Sequence, residues 1–307
     1  MSRSDKQRYQ EYRNRKLANH YKNYPVHQPS PLLEFLITNV TSGSRTKAKH
    51  LLSFKMVYVD KVITTQFDTP LKPGQIVQIA ERGNQTELRS HWLKILYEDA
   101  FLLVIDKAPG ILTNAPLGGR ENSIKHILDE YLKRNHQSLT SHTVHRLDRF
   151  TSGVMIFAKR RDVQQKFMDF WHDIVTDRRY VAVVQGTPSP AQGTVSSWLK
   201  DSKTFMTYSS NYDNGGKYAV THYRVMRTSP LYSLVEFKLE TGRKNQIRVH
   251  MQDIQHPVVG DLKYGSDIDP VGRVCLHAYK IEFTHPITGE HMYFETPIPQ
   301  QFTSLLE

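Results

Sequence analysis

The stretch His145-Arg146-Leu147-Asp148-Arg149-Phe150-Thr151-Ser152-Gly153-Val154-Met155-Ile156-Phe157-Ala158 joins a charged loop to an unbroken apolar run. Five consecutive apolar residues, 154–158, bounded by glycine and polar residues, read as a strand buried on both faces. A loop leading into such a strand is rigidly supported yet open to solvent, a setting that suits reactive side chains. One carboxylate, Asp148, lies there among Arg146, Arg149 and His145. A carboxylate set among cations stays ionised, which suits a nucleophile or an electrostatic stabiliser and not a general acid. A loop salt bridge gives the same local pattern.

Working outward, short strand-like runs dominate from Trp92 onward. The clearest are 102–105, 154–158, 180–184, 219–226, 233–239 and 276–283. Helical periodicity appears near 120–134, 161–174 and 244–254. Several strands follow one another with no helix between them. This predicts an α+β domain on a largely antiparallel or mixed β-sheet with flanking helices. Three further polar clusters stand out: Arg179-Tyr180 at the head of a buried run, Thr241-Gly242-Arg243-Lys244-Asn245-Gln246-Ile247-Arg248-Val249-His250, and the turn Gly260-Asp261-Leu262-Lys263-Tyr264-Gly265. In the second, Gln246 and Arg248 fall at the start of a helical period, where they can face an anion.

Before Trp92 the chain divides into three. Residues 1–28 carry seven Lys or Arg against two Asp or Glu, with tyrosines interleaved and almost no aliphatics. They read as a basic flexible tail. Residues 29–80 predict a small unit: a helix burying Leu32, Leu33 and Leu36, a second helix over 45–52 capped by Ser44, and a strand pair turning at Asp60-Lys61. The second helix leaves Arg45, Lys47 and Lys49 on its outer surface. Residues 81–91 are polar and read as a linker, leaving 92–307 as the larger domain.

The chain has 307 residues, 38% hydrophobic and 23% charged, enough for a substantial core. Lys and Arg number 41 against 30 Asp and Glu, a formal net charge of +11. Such a surplus favours a polyanionic partner: nucleic acid, anionic lipid or a phosphorylated substrate. The single cysteine, Cys275, excludes an internal disulfide framework and multi-thiolate metal sites, and fits a reducing, cytoplasmic setting. No apolar run is long enough to span a membrane, and the first residues lack a secretory h-region. His142 and His145 have a His-x-x-His spacing but no evident third ligand, so no metal is expected.

HRLDRFTSGVMIFAK, RRYVAVVQG, TGRKNQIRVHM, HPVVGDLKYG and CLHAYKIEFTHP occur in this order, after LYEDAFLLVIDKAPG. From about residue 92 to the end the chain therefore resembles the RluA-type pseudouridine synthases. Residues 29–80 resemble the small αL RNA-binding module of the ribosomal small-subunit-protein type, most specifically at Ser44-Arg45-Thr46-Lys47-Ala48. Phe150 stands where that synthase family often has an acid, Asn245 where histidine is usual, and Ala108-Pro109 follows Lys107 in place of the commoner Pro-first order.

The resemblance implies an isomerase that breaks the N1–C1′ bond of uridine, turns the base and joins C5 to C1′. Such an internal rearrangement calls for no cofactor. It implies Asp148, Tyr180 and Arg248 as catalytic residues. Asp148 attacks C1′ or takes a proton from C2′, Tyr180 packs on the base near the C5 proton, and Arg248 pairs with Asp148. Arg146, His145, Arg149, Thr151, Gln246 and Ile247 are expected to bind substrate, with Arg146 helping to extrude the nucleotide, since C1′ and C5 are not both reachable inside a helix. Arg45, Lys47 and Lys49 are expected to contact RNA. The partner is RNA, ribosomal RNA favoured over tRNA, bound by a monomer. A non-catalytic RNA-binding factor is disfavoured because Asp148, Tyr180 and Arg248 are all present. A glycoside hydrolase is disfavoured because the signature loop offers one carboxylate and not two.

Overall fold

The computed structural model describes residues 21–53, 56–80, 88–116, 122–135, 139–204 and 206–307. The chain divides into two units, 1–87 and 88–307.

The first unit holds strands β1 (Tyr21–Pro25), β2 (Ser30–Pro31), β3 (Val57–Val59), β4 (Val62–Ile63), β5 (Pro70–Leu71) and β6 (Ile76–Ala80), with helices α1 (Leu32–Asn39) and α2 (Arg45–Ser53). One sheet runs β1-β6-β3-β4, and β2 pairs with β5. Leu32, Leu33, Phe35 and Leu36 of α1 pack with Ala48 and Leu52 of α2 over Val57, Val77 and Ile79. The Ser44 hydroxyl accepts from the Lys47 N–H at 3.3 Å, capping α2 as its sequence predicts. The tail reading fails at its end. Residues 21–25 pair with β6 in antiparallel register, Val26 is buried, and the Tyr21 ring meets Tyr58 edge-on at 5.1 Å. Tyr21 and Tyr24 are half-buried on this edge strand. Residues 1–20, and 81–87 of the linker, lie outside the described residues. Leu88 already packs on the core of the second unit.

The second unit runs β7 (Leu93–Glu98), β8 (Leu102–Lys107), α3 (Ile124–Asn135), β9 (His142–Thr143), β10 (Ser152–Ala158), α4 (Arg161–Asp169), α5 (Trp171–Ile174), β11 (Val175–Gln185), β12 (Gln192–Asp201), β13 (Thr207–Ser210), β14 (Lys217–Thr228), β15 (Tyr232–Leu239), α6 (Gln246–Asp253), β16 (Leu276–Thr284), β17 (His291–Glu295) and α7 (Gln300–Thr303). Among the described residues these strands form one sheet in the order β13-β12-β14-β15-β11-β16-β10-β8-β7, with β17 on β16 and β9 on β10. All pairs are antiparallel except β10 with β16. The sheet is mixed, as the succession of strands predicts.

β10 is buried along its whole length because it feeds two cores. Met155 and Phe157 pack with Leu103, Ile105, Phe237 and the Ile124–Leu128–Leu132 face of α3. Val154 and Ile156 point the other way, onto Leu102, Val104, Phe283 and the Val163–Phe167 face of α4. The single helix expected over 161–174 is two: Phe170, at φ −124° and ψ 34°, breaks α4 from α5. β12 is absent from the clear strand runs because its outward residues are polar, and only Ser197 and Leu199 are buried.

Gly153 explains how β10 reaches β16. Its φ is +117°, and a Cβ there would stand 2.1 Å from the Ala278 carbonyl oxygen. Only glycine permits that backbone approach, which ties the end of the signature loop to the sheet.

Candidate active site

The loop before β10 is held from beneath. The Lys107 side chain is fully buried at the end of β8. Its Nζ donates to the carbonyls of Ala108 at 3.0 Å, Asp148 at 3.2 Å, Arg149 at 3.1 Å and Thr151 at 2.7 Å. Burial, with Arg273 nearby, lowers the Lys107 ammonium to a pKa of about 7. The Thr113 hydroxyl donates to the Leu147 carbonyl and accepts from the Leu147 N–H, at 2.8 and 3.2 Å. On the far side, Ser152 Oγ accepts from Arg273 Nη2 at 2.9 Å and lies 2.7 Å from His277 Nδ1. Every residue of the loop from Leu147 to Ser152 except Phe150 is therefore anchored, while the Asp148 carboxylate is left half-buried and facing outward.

α6 supplies the opposite wall. It starts at Asn245, whose left-handed backbone (φ 54°) suits asparagine. The Asn245 amide donates to Tyr264 Oη at 3.0 Å, and its Oδ1 accepts from Arg248 Nη1 at 2.8 Å. Arg248 gives its two-pronged fork to Asp261, Nε to Oδ2 at 2.6 Å and Nη2 to Oδ1 at 2.7 Å. Only Nη1 reaches Asp148, at 3.4 Å. The Arg248 guanidinium also lies 4.8 Å from the centre of the Tyr264 ring. Burial works against its charge, but Asp261 more than offsets this and raises its pKa.

Between these walls opens a cavity of about 80 Å³. Asp148, Tyr180 and Arg248 all line it, together with Arg146, Thr151, Gln246 and Ile247. Arg178, Leu239, Gly242 and Arg243 complete the rim on the β11–β15 side. Tyr180 is buried, and burial pushes its phenol up; Arg178 pulls it partway back and Asp148 adds to the rise. The phenol is neutral near pH 7.

Two expected substrate contacts lie elsewhere. His145 Nε2 accepts from the Ile156 N–H at 3.0 Å, Nδ1 is buried without a partner, and burial lowers the ring to about 3. It is a neutral prop for β10 that lines a neighbouring pocket with His142 and Gln164, and adds no charge beside Asp148. Arg149 is exposed and does not line the cavity. Gln246 does line it, but its amide is used inward: Nε2 donates to Val220 O and Thr221 Oγ1, and Oε1 accepts from Thr241 Oγ1 and the Arg243 N–H. Arg45, Lys47 and Lys49 are exposed on α2 of the first unit. Among the described residues no group of three or more His, Cys, Asp or Glu side chains is set to hold a metal, and no helix is long and apolar enough to cross a membrane. Cys275 is buried, its thiol raised to about 12 by burial.

Lys107, Asp261, Arg178 and Arg273 had no assigned role from sequence. Lys107 carried a signal: a lysine directly after an apolar strand, before Pro-Gly, must find buried acceptors.

A model of the RNA pseudouridylate synthase family matches residues 101–253. The chain is 35% identical over 215 residues to the uncharacterized RNA pseudouridine synthase YhcT of Bacillus subtilis, covering 69% of this chain and 71% of that protein. It is 30% identical over 282 residues to ribosomal large subunit pseudouridine synthase D of Vibrio cholerae, covering 86% of each. The chain belongs to the RNA pseudouridine synthase family. This pseudouridine synthase is thus an isomerase acting on RNA. Its fold is shared with human RNA pseudouridylate synthase domain containing 4, at a TM-score of 0.57 and 24% identity over 68% of this chain and 90% of that one.

Proposed function

We propose that this synthase isomerises uridines in structured RNA, ribosomal large-subunit RNA ahead of tRNA, with Asp148 acting at C1′. The observation that most supports the residue assignment is that Asp148, Tyr180 and Arg248 line one cavity, with Asp148 on a loop anchored by Lys107 on one side and through the Ser152 side chain on the other. Asp148 Oδ1 is free of Arg248, so one carboxylate oxygen can face C1′ while the other is held. It attacks C1′ or takes the C2′ proton; either route leaves the electron pair of the N1–C1′ bond on uracil. The base turns within the cavity and C5 bonds to C1′ as the Asp148–C1′ bond breaks or, on the second route, as the proton returns to C2′. The C5 proton is then lost and N1 takes one up, so the net change is an isomerisation. Tyr180 forms a wall against the base. A phenol raised by burial is a poor base at rest, so its first task is packing. Arg146, exposed at the rim, is placed to fill the stack that the flipped nucleotide vacates.

Ribosomal RNA is favoured because a relative spanning 86% of this chain is a large-subunit synthase. The exposed Arg45, Lys47 and Lys49 add a basic helix of the αL kind. Replacing any one of them that pairs with a phosphate should reduce the log–log salt slope of RNA binding by roughly 0.7–0.9. The full chain acts as a monomer in a reducing, cytoplasmic setting. Incubation with unmodified large-subunit RNA and with unmodified tRNA transcripts tests the reading. Pseudouridine at discrete sites in the ribosomal transcript supports it. Modification of tRNA alone overturns the target, and free uracil would indicate hydrolysis.

A further inference from the structure

Arg178 lies two residues before Tyr180 on β11, so both side chains leave the same face of the strand and line the same cavity. It is held on three sides. Its Nη2 donates to the Thr241 carbonyl at 3.1 Å, and its guanidinium carbon lies 5.4 Å from the centre of the Trp171 ring. On the third side a Cβ at Gly242 would meet Nη1 at 3.0 Å and Nη2 at 3.1 Å, so the missing side chain makes its room. Nε is buried without a hydrogen-bond partner.

Arg248 is matched by Asp261 and Asp148. Among the described residues no Asp or Glu forms an ion pair with Arg178. Its field reaches the pocket nonetheless, for it pulls down both the Tyr180 phenol and the His145 ring. A fixed, unmatched cation in a shielded cleft is an electrostatic site waiting for negative charge.

The reaction supplies that charge. When N1–C1′ breaks, the electron pair stays on the base and spreads over its ring and carbonyl oxygens until C5 returns it to C1′. We propose that Arg178 is a further catalytic residue, which stabilises the negative charge of the detached uracil beside Tyr180. This rests on the pseudouridine synthase reading above.

The test uses the full-length protein and single-turnover rates at saturating RNA. Arg178→Gln should lower the rate by about 100-fold, the size expected for one preorganised donor, with RNA affinity within about threefold, by the same argument. Arg178→Lys, which keeps the charge, should fall between wild type and Arg178→Gln. On RNA carrying 5-fluorouridine, whose fluorine already stabilises an anionic base, the defect of either variant should shrink. Arg178→Lys alone carries this last comparison if Arg178→Gln does not fold. A wild-type rate in Arg178→Gln overturns the proposal. So does weakened binding with an unchanged rate, which marks a phosphate contact, or an equal defect on both substrates, which marks a structural role. A wild-type protein inactive on every RNA would overturn the underlying reading instead.

Discussion

Arg248 gives both prongs of its guanidinium to Asp261 and only a single arm, at 3.4 Å, to Asp148. The fork thus fixes the arginine to the turn after α6, and its pairing with Asp148 is the weaker contact. Arg248 is thereby oriented by a buried partner, and one Asp148 oxygen stays out of its grip. A bidentate pair with Asp148 would occupy both of its oxygens, whereas the proposed mechanism needs one of them open.

Asp261→Asn keeps the shape of that partner and removes its charge. Breaking one side of a buried pair costs about 3–5 kcal/mol. We expect a stability loss of that order in urea unfolding, with kcat falling more than KM rises. Unchanged stability and turnover would show that Asp261 does not orient Arg248.

Lys107→Met removes the shared donor beneath the signature loop. The carbonyls of Ala108 and Thr151 lose a buried partner, at roughly 1–3 kcal/mol each. Turnover should fall because Asp148 loses its footing, while RNA affinity changes little. A variant with wild-type unfolding and kcat would contradict the anchoring role.

Gly153→Ala tests the close approach of β10 to β16. Its methyl would collide with the Ala278 carbonyl at a φ that disfavours side chains. The expected result is a protein that is insoluble or destabilised by more than about 4 kcal/mol, the range of severe single mutations. A crystal structure of a stable, active Gly153→Ala protein would contradict it.

Acid should weaken the fold through His250 and His277. Both are buried, and burial lowers each to about 4. Between the unfolded value near 6.5 and the folded value, the unfolded chain binds protons that the folded one refuses. Stability therefore falls as pH drops through that window, by up to about 3 kcal/mol per histidine at pH 4. Urea midpoints at pH 7, 5.5 and 4.5 measure it, and His250→Gln should flatten the slope. A flat wild-type profile would refute the assignment.

The α+β class and the six strand runs were legible because their apolar stretches are long and bounded by polar turns. The signature loop was legible through its resemblance to the family motif; its charge pattern alone also fits a loop salt bridge. What the sequence hid was pairing. Nothing local in Gly260-Asp261-Leu262 says that Asp261 takes the fork of Arg248, thirteen residues earlier. His145 looked cationic beside Asp148 because burial is a property of the fold and not of spacing. Strand β1 was hidden by its polar residues, since Lys22 and Asn23 are exposed while only Tyr21 and Tyr24 are half-buried.

Whether Asp148 performs the chemistry is decided by pseudouridine formation in Asp148→Asn on an RNA that the wild type modifies, with RNA affinity measured alongside. Normal folding is expected, with affinity within about threefold of wild type because an anionic carboxylate adds no attraction to phosphate, and no detectable pseudouridine. Turnover above a few per cent of wild type in a verified, folded Asp148→Asn protein would contradict that role.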